Sequence, residues 1–147
     1  MAGKWDDRFL ALAEHVSAWS KDPSTKCGAV IVDDDKRVLS VGYNGFPRGV
    51  EDNWTLLSSR EEKYSRIIHA EINAILFASG DLRGATLYSY PLPPCAPCAA
   101  VIIQKGIRRV VSCMLTSEDY QRWGGSAHRA AGMFEEAGVI LELMVRR

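Results

Sequence analysis

The sequence predicts an α/β fold, a three-layer α-β-α sandwich built on a mixed five-stranded sheet. Two observations carry that expectation. Short β-branched runs alternate with stretches of helical apolar spacing through the second half of the chain, as in parallel strands joined by crossover helices. Near the N-terminus, two apolar runs are separated by the acidic turn Asp33-Asp34-Asp35, the pattern of an antiparallel hairpin.

Each element has its own signal. Residues 5–19 place Phe9, Leu12, Ala13, Val16 and Trp19 on one helical stripe, ended by Asp22-Pro23-Ser24. Residues 27–32 and 38–43 are the hairpin strands, and Asn44-Gly45-Phe46-Pro47-Arg48-Gly49 is a loop by its glycines and proline. Residues 51–65 are polar and irregular, a long loop with some helix, and loops of that length are often functional. Helical spacing returns over residues 67–78 and stops at Gly80-Asp81. A strand over 86–89 precedes the stiff Pro91-Leu92-Pro93-Pro94. A helix over 95–105 ends at Gly106, and a strand follows over 109–113. A last helix over 127–137 ends at Gly138 and leads into a strand over 139–145. There is no internal repeat.

Composition narrows the function classes. A chain of 147 residues fits one domain, taken here as residues 1–147, with 47% hydrophobic and 24% charged residues. Eighteen basic residues balance eighteen acidic ones, so the total offers no basic face for a long nucleic acid. No apolar run is long enough to span a bilayer, and residues 1–8 lack the apolar core of a signal peptide. The cytoplasm is the expected location. The four cysteines do not make a disulfide framework; Cys27 and Cys113 sit in apolar runs as core residues, while Cys95 and Cys98 form a C-x-x-C pair.

Two segments carry chemistry: His69-Ala70-Glu71 and Pro94-Cys95-Ala96-Pro97-Cys98, each at the start of an expected helix. Thiols three apart on a first helical turn both reach one ion, and the positive helix end favours their thiolates. With an imidazole from His69 they make a mixed nitrogen–sulfur site suited to zinc. Three protein ligands leave a fourth position for water, as catalytic zinc requires, whereas structural zinc is closed by four. Glu71 lies beside the metal without being a ligand, placed to carry protons as the catalytic acid and base. Either half alone is weak. Together, in this order, they match the H-x-E…P-C-x-x-C signature of zinc deaminases. Other readings are a thioredoxin-type dithiol, which leaves His69 and Glu71 unexplained, and a structural zinc completed by Cys27 or Cys113.

With these motifs, Lys26-Cys27-Gly28-Ala29-Val30, the stretch from Gly42 to Gly49, residues 69–75 and the turn Ala137-Gly138-Val139 resemble the cytidine deaminase-like superfamily over nearly the whole chain. Within it the chain is most similar to the deoxycytidylate (dCMP) deaminases, mainly through Gly-Tyr-Asn-Gly-x-Pro-x-Gly. That resemblance implies conversion of dCMP and water to dUMP and ammonia, feeding thymidylate synthesis, with zinc as cofactor. It implies that Asn44 bonds the sugar hydroxyl and that the Ala70 N–H meets the pyrimidine carbonyl. The 5′-phosphate needs cationic or N–H donors, for which Lys26 with Ser24 and Thr25 is the first candidate cluster and Arg48 and Arg66 the reserves. Tyr120 or Trp123 caps the base, by analogy with an aromatic residue of relatives. Tyr43, Asn44 and Gly45 fall in a loop that, in relatives, helps form a regulatory site for dCTP and dTTP at a subunit contact.

The chain also departs from its relatives. Many dCMP deaminases carry a second, structural zinc in the long loop, but residues 51–65 contain neither cysteine nor histidine, so one zinc per chain is expected. Residues 116–126 differ as well, which bears on base preference. Small residues at Ala96, Ala99 and Ala100 allow close helix packing, and members of the superfamily commonly assemble, so a homo-oligomer such as a hexamer is expected. The alternative functions are a deaminase acting on another base, including a tRNA adenosine deaminase, and a binding module that uses zinc only to fold.

Overall fold

The computed structural model describes residues 3–146. Its sheet has five strands. The hairpin strands β1 (Gly28–Val32) and β2 (Val38–Tyr43) pair antiparallel, as the short acidic turn demands. Strand β3 (Thr86–Tyr90) also runs antiparallel to β1, while β4 (Arg109–Cys113) and β5 (Ile140–Met144) continue in parallel from it. The sequence expectation of a mixed α/β sandwich is met.

Alternation along the central strands divides the core in two. Helix α1 (Lys4–Ser17) turns Phe9, Leu10 and Ala13 onto Val30, Val32, Tyr88, Val111 and Cys113 on one face. On the other face, Ala29, Ile31, Leu87 and Val110 meet α4 (Ala70–Phe77), α5 (Ala96–Gln104) and α6 (Ser117–Ala137) through Ala70, Ala74, Ala99, Ile102, Ala130 and Phe134. Cys113 therefore packs as a core thiol on the α1 face. Ala99 is committed to the opposite core, so of the three alanines that allow close helix packing only Ala100 is exposed. Small residues here bring α4 close to the sheet. A Cβ on Gly42 would lie 2.4 Å from the Ala74 nitrogen and 2.6 Å from the Ala70 carbonyl oxygen.

Three boundaries differ from expectation. The polar stretch after residue 50 folds into two short helices, α2 (Trp54–Ser58) and α3 (Arg60–Arg66), whose N-terminal N–H groups are capped by Asn53 and Ser59. Helix α4 starts three residues late because Ile68 is held extended in a bridge with Gly45. Helix α6 begins ten residues early. The Thr116 hydroxyl accepts the Asp119 N–H at 3.1 Å, and Glu118 and Asp119 complement the positive end of the helix. Gly124-Gly125 is helical despite its low propensity, and the Tyr120 ring covers the space a Gly124 side chain would take. Among the described residues, no helix is long and apolar enough to cross a membrane.

A buried ionic network joins α1 to the sheet. The Asp6 carboxylate accepts from Arg109 at 2.7 and 2.9 Å and from the Tyr88 hydroxyl at 2.6 Å. Burial alone raises the Asp6 carboxyl, but these bonds outweigh it and bring it from 3.8 down to about 2. A carboxyl lowered by folding adds stability above its unfolded value and loses it as acid protonates the folded form, a contribution of about 2 kcal/mol here. Asp6→Asn is expected to lower the urea midpoint at neutral pH. Its deficit against the wild-type chain should shrink as the pH falls from about 4 to about 2, and a deficit independent of pH would exclude this ionic role.

Candidate active site

Two helices start side by side beyond the sheet, and their capping residues carry the metal-type ligands. His69 is the N-cap of α4 and Cys95 the N-cap of α5, both with extended backbone and neither making a side-chain cap bond. Their side chains turn toward each other instead. His69 Nδ1 lies 3.3 Å from Cys95 Sγ and 3.2 Å from Cys98 Sγ, and the three ligand atoms all fall within 4.8 Å of one another. Pro97 fits the first turn of α5, where a missing N–H costs nothing. The cap that Cys95 does not provide comes from α6, whose Ser126 hydroxyl accepts the Ala96 N–H at 2.8 Å.

The donor set is one imidazole nitrogen and two sulfurs, which fits zinc. Among the described residues, this cluster holds three ligands and no fourth. The electrostatics favour a cation. A hydrogen bond from the Cys98 thiol, aided by His69, holds the Cys95 thiol well below its ordinary value, which favours the thiolate. The same bond to Cys95 raises Cys98, and the bond to Cys95 raises His69. Glu71, two residues into α4, is 6% exposed, and burial pushes its carboxyl up to about 7. Its proton is therefore exchangeable near neutral pH, as an acid–base group requires.

A cleft opens in front of these groups. His69, Ala70, Glu71 and Cys95 form its floor, and Asn44, Cys27, Trp123, Ser126 and Tyr64 contribute to its walls. Ala70 is the first residue of α4, so its N–H has no partner within the helix.

The chain matches the family described as the cytidine and deoxycytidylate deaminase zinc-binding region over residues 3–114. It belongs to that family. An uncharacterized deaminase in the luxG 3′ region of Aliivibrio fischeri is 47% identical over 139 residues, which are 95% of this chain and 92% of the relative. The deoxycytidylate deaminase of Homo sapiens is 37% identical over 148 residues, covering 97% and 80%. The crystal structure of the dCMP deaminase from the cyanophage S-TIM5 in apo form superposes with a TM-score of 0.76 at 25% identity, covering 98% of this chain and all of that one. The family placement agrees with the sequence resemblance and with the fold.

The structure gathers some of the remaining expected deaminase residues and separates others. Asn44, Ala70, Ser24, Thr25 and Trp123 line the cleft. Lys26 does not; its ammonium donates to the Ser20 carbonyl instead. Tyr120 is 65% exposed and lies against Gly124, one turn of α6 away from Trp123, so of these two only Trp123 lines the cleft. Arg48 stacks on Phe77 and Arg66 pairs with Glu62, and neither lines the cleft. Of the loop residues 43–45, only Asn44 does; Tyr43 packs on Trp19 and Gly45 pairs with Ile68.

Sequence reasoning missed Asp22, Lys63 and Arg122. Asp22 and Lys63 form an ion pair at 3.2 Å with side chains 6% and 12% exposed, and Arg122 stacks on Trp123. Asp22 read as a helix terminator, and Lys63 lies in the short α3, whose seven residues have no buried stripe to betray it. Arg122 sits beside an aromatic residue already singled out, the one available signal. A second, shallower cavity shares Ser24, Lys63, Tyr64 and Arg122 with the cleft and adds Arg60 and Ser58, which makes this end of the site cationic.

Purified protein is expected to carry about one zinc per chain. Cys95→Ala and Cys98→Ala should each lose most of it by elemental analysis. Cys27→Ala and Cys113→Ala should retain it, and loss of the metal from either would mean that the site is closed by a fourth thiolate.

Proposed function

We propose that this protein is a zinc-dependent hydrolase of the dCMP deaminase type, converting dCMP and water to dUMP and ammonia, with residues 1–147 acting as one deaminase domain. The observation that carries the proposal is a buried proton carrier, Glu71, set beside a three-ligand His/Cys/Cys cluster at the floor of a cleft. Relatives named deoxycytidylate deaminase, 37% identical over most of their length, support the choice of substrate. His69, Cys95 and Cys98 hold the zinc. When bound, zinc supplies Lewis acidity that makes a water molecule a nucleophile near neutral pH.

The remaining chemistry falls to the chain itself. The two protons of the attacking water pass in turn through the Glu71 carboxyl, the first to the ring nitrogen and the second to the leaving amine. The Ala70 N–H donates to the pyrimidine carbonyl, and its place at a helix start keeps it free for that bond. Trp123 covers the base. The Asn44 amide oxygen accepts from the sugar hydroxyl. Arg122 and Lys63, with Ser24 and Thr25 lining the same cleft, receive the 5′-phosphate in place of Lys26. The same reading includes a homo-oligomer, consistent with Ala100 and the 41%-exposed Val101 on the outer face of α5.

Ammonia release from a panel of dCMP, CMP, dCTP, deoxycytidine and an anticodon stem-loop tests the proposal. Turnover is expected to be fastest with dCMP. Glu71→Gln should keep zinc and lose about 10³-fold in kcat. Arg122→Ala should raise KM for dCMP about tenfold while leaving deoxycytidine unaffected. No turnover of any nucleotide, or full activity in Glu71→Gln, would overturn the assignment.

A further inference from the structure

We infer that Asp22 is a positioning residue that fixes the Asn44 amide as an acceptor toward the sugar. The inference rests on the dCMP reading above, and on a hydrogen-bond count that leaves Asn44 one open capacity. Asn44 Nδ2 donates to the Thr25 carbonyl at 2.9 Å and to Asp22 Oδ2 at 3.3 Å, which uses both of its hydrogens. Asn44 Oδ1 accepts the Cys27 N–H at 2.9 Å and keeps one lone pair. A ligand therefore meets an acceptor at Asn44 and nothing else, so the group that binds there must be a donor, as a hydroxyl is.

Asp22 is what makes the alternative amide orientation unfavourable. Its Oδ1 accepts from the Ser24 N–H at 2.8 Å, the Thr25 N–H at 3.4 Å and Lys63 Nζ at 3.2 Å. With three donors converging on Oδ1, an asparagine at position 22 must keep its oxygen there and point its NH2 at Asn44. Two NH2 groups would then face each other. Rotating the Asn44 amide to escape sets its NH2 against the Cys27 N–H, so no orientation satisfies every group. The buried carboxylate, with acceptors on both sides, has no such conflict.

The test compares dCMP with 2′,3′-dideoxycytidine 5′-monophosphate, which lacks the 3′-hydroxyl but keeps base and phosphate. The wild-type chain should prefer dCMP in kcat/KM. In Asp22→Asn, with zinc content unchanged, that preference should fall by on the order of tenfold, chiefly through KM for dCMP. Any general damage, or loss of the Lys63 partner, lowers both substrates alike and cancels in the ratio. A preference within twofold of the wild-type value in zinc-replete Asp22→Asn overturns the inference. The wild-type protein gives a second measurement, needed if the variant does not fold. Both Asn44 side-chain amide hydrogens should exchange slowly with solvent in ¹⁵N-labelled protein, and rapid exchange of either overturns the inference. If the wild-type chain releases no ammonia from dCMP, the substrate assignment falls, while the exchange measurement still decides whether Asp22 holds Asn44.

Discussion

Everything at the candidate site depends on two helices beginning at one place with their caps given away. A helix start has N–H groups that want an acceptor, and the usual solution is a short polar side chain folding back onto them. His69 and Cys95 occupy those cap positions and turn outward to each other instead. The chain meets the resulting debt at α5 with a hydroxyl from a different helix, Ser126, while Ala70, the first residue of α4, lines the cleft. The close approach of α4 to β2 at Gly42 sets where the first of these starts lies, so the ligand geometry is anchored to the sheet and not to a loop.

Much of this was legible in the sequence because it rests on local, periodic or strongly constrained signals. Strand alternation and the acidic turn gave the sheet its hairpin and its mixed character, and the ligand triad followed from three residue types at fixed spacing from helix starts. The N-terminal half of α6 was not legible. Its sequence is polar and includes Gly124-Gly125, and the groups that stabilise it, the Thr116 cap and the Tyr120 ring over Gly124, act through space that a one-dimensional reading does not see. The long polar segment, expected to hold some helix, did not show the bounds of α2 and α3 for a related reason. Helices of five and seven residues are too short to show a period.

The misplaced cation has a physical explanation as well. Lys26 looked suited to an anion because it precedes β1 beside Ser24 and Thr25, and those two do reach the cleft. The turn they form is organised by the Asp22 carboxylate, and it directs the Lys26 ammonium to the Ser20 carbonyl. The cations that do face the cleft come from α3 and α6, more than thirty residues away in sequence. A buried acid surrounded by backbone donors is invisible as such in a sequence, where Asp22 before Pro23 reads as punctuation.

The Ser126 contact has a bearing on how such a site diversifies. One stretch of α6 carries Arg122 and Trp123 on the cleft wall and, a single turn later, the hydroxyl that caps the cysteine-bearing start of α5. Any backbone shift that reshapes the wall for a different base or sugar is transmitted to the cap, and so to the cysteines. The cleft wall and the cysteine-bearing start of α5 are thus mechanically linked in this protein. Repurposing it for a new nucleotide is better attempted by exchanging side chains on an unmoved α6 than by lengthening, shortening or rebuilding that helix.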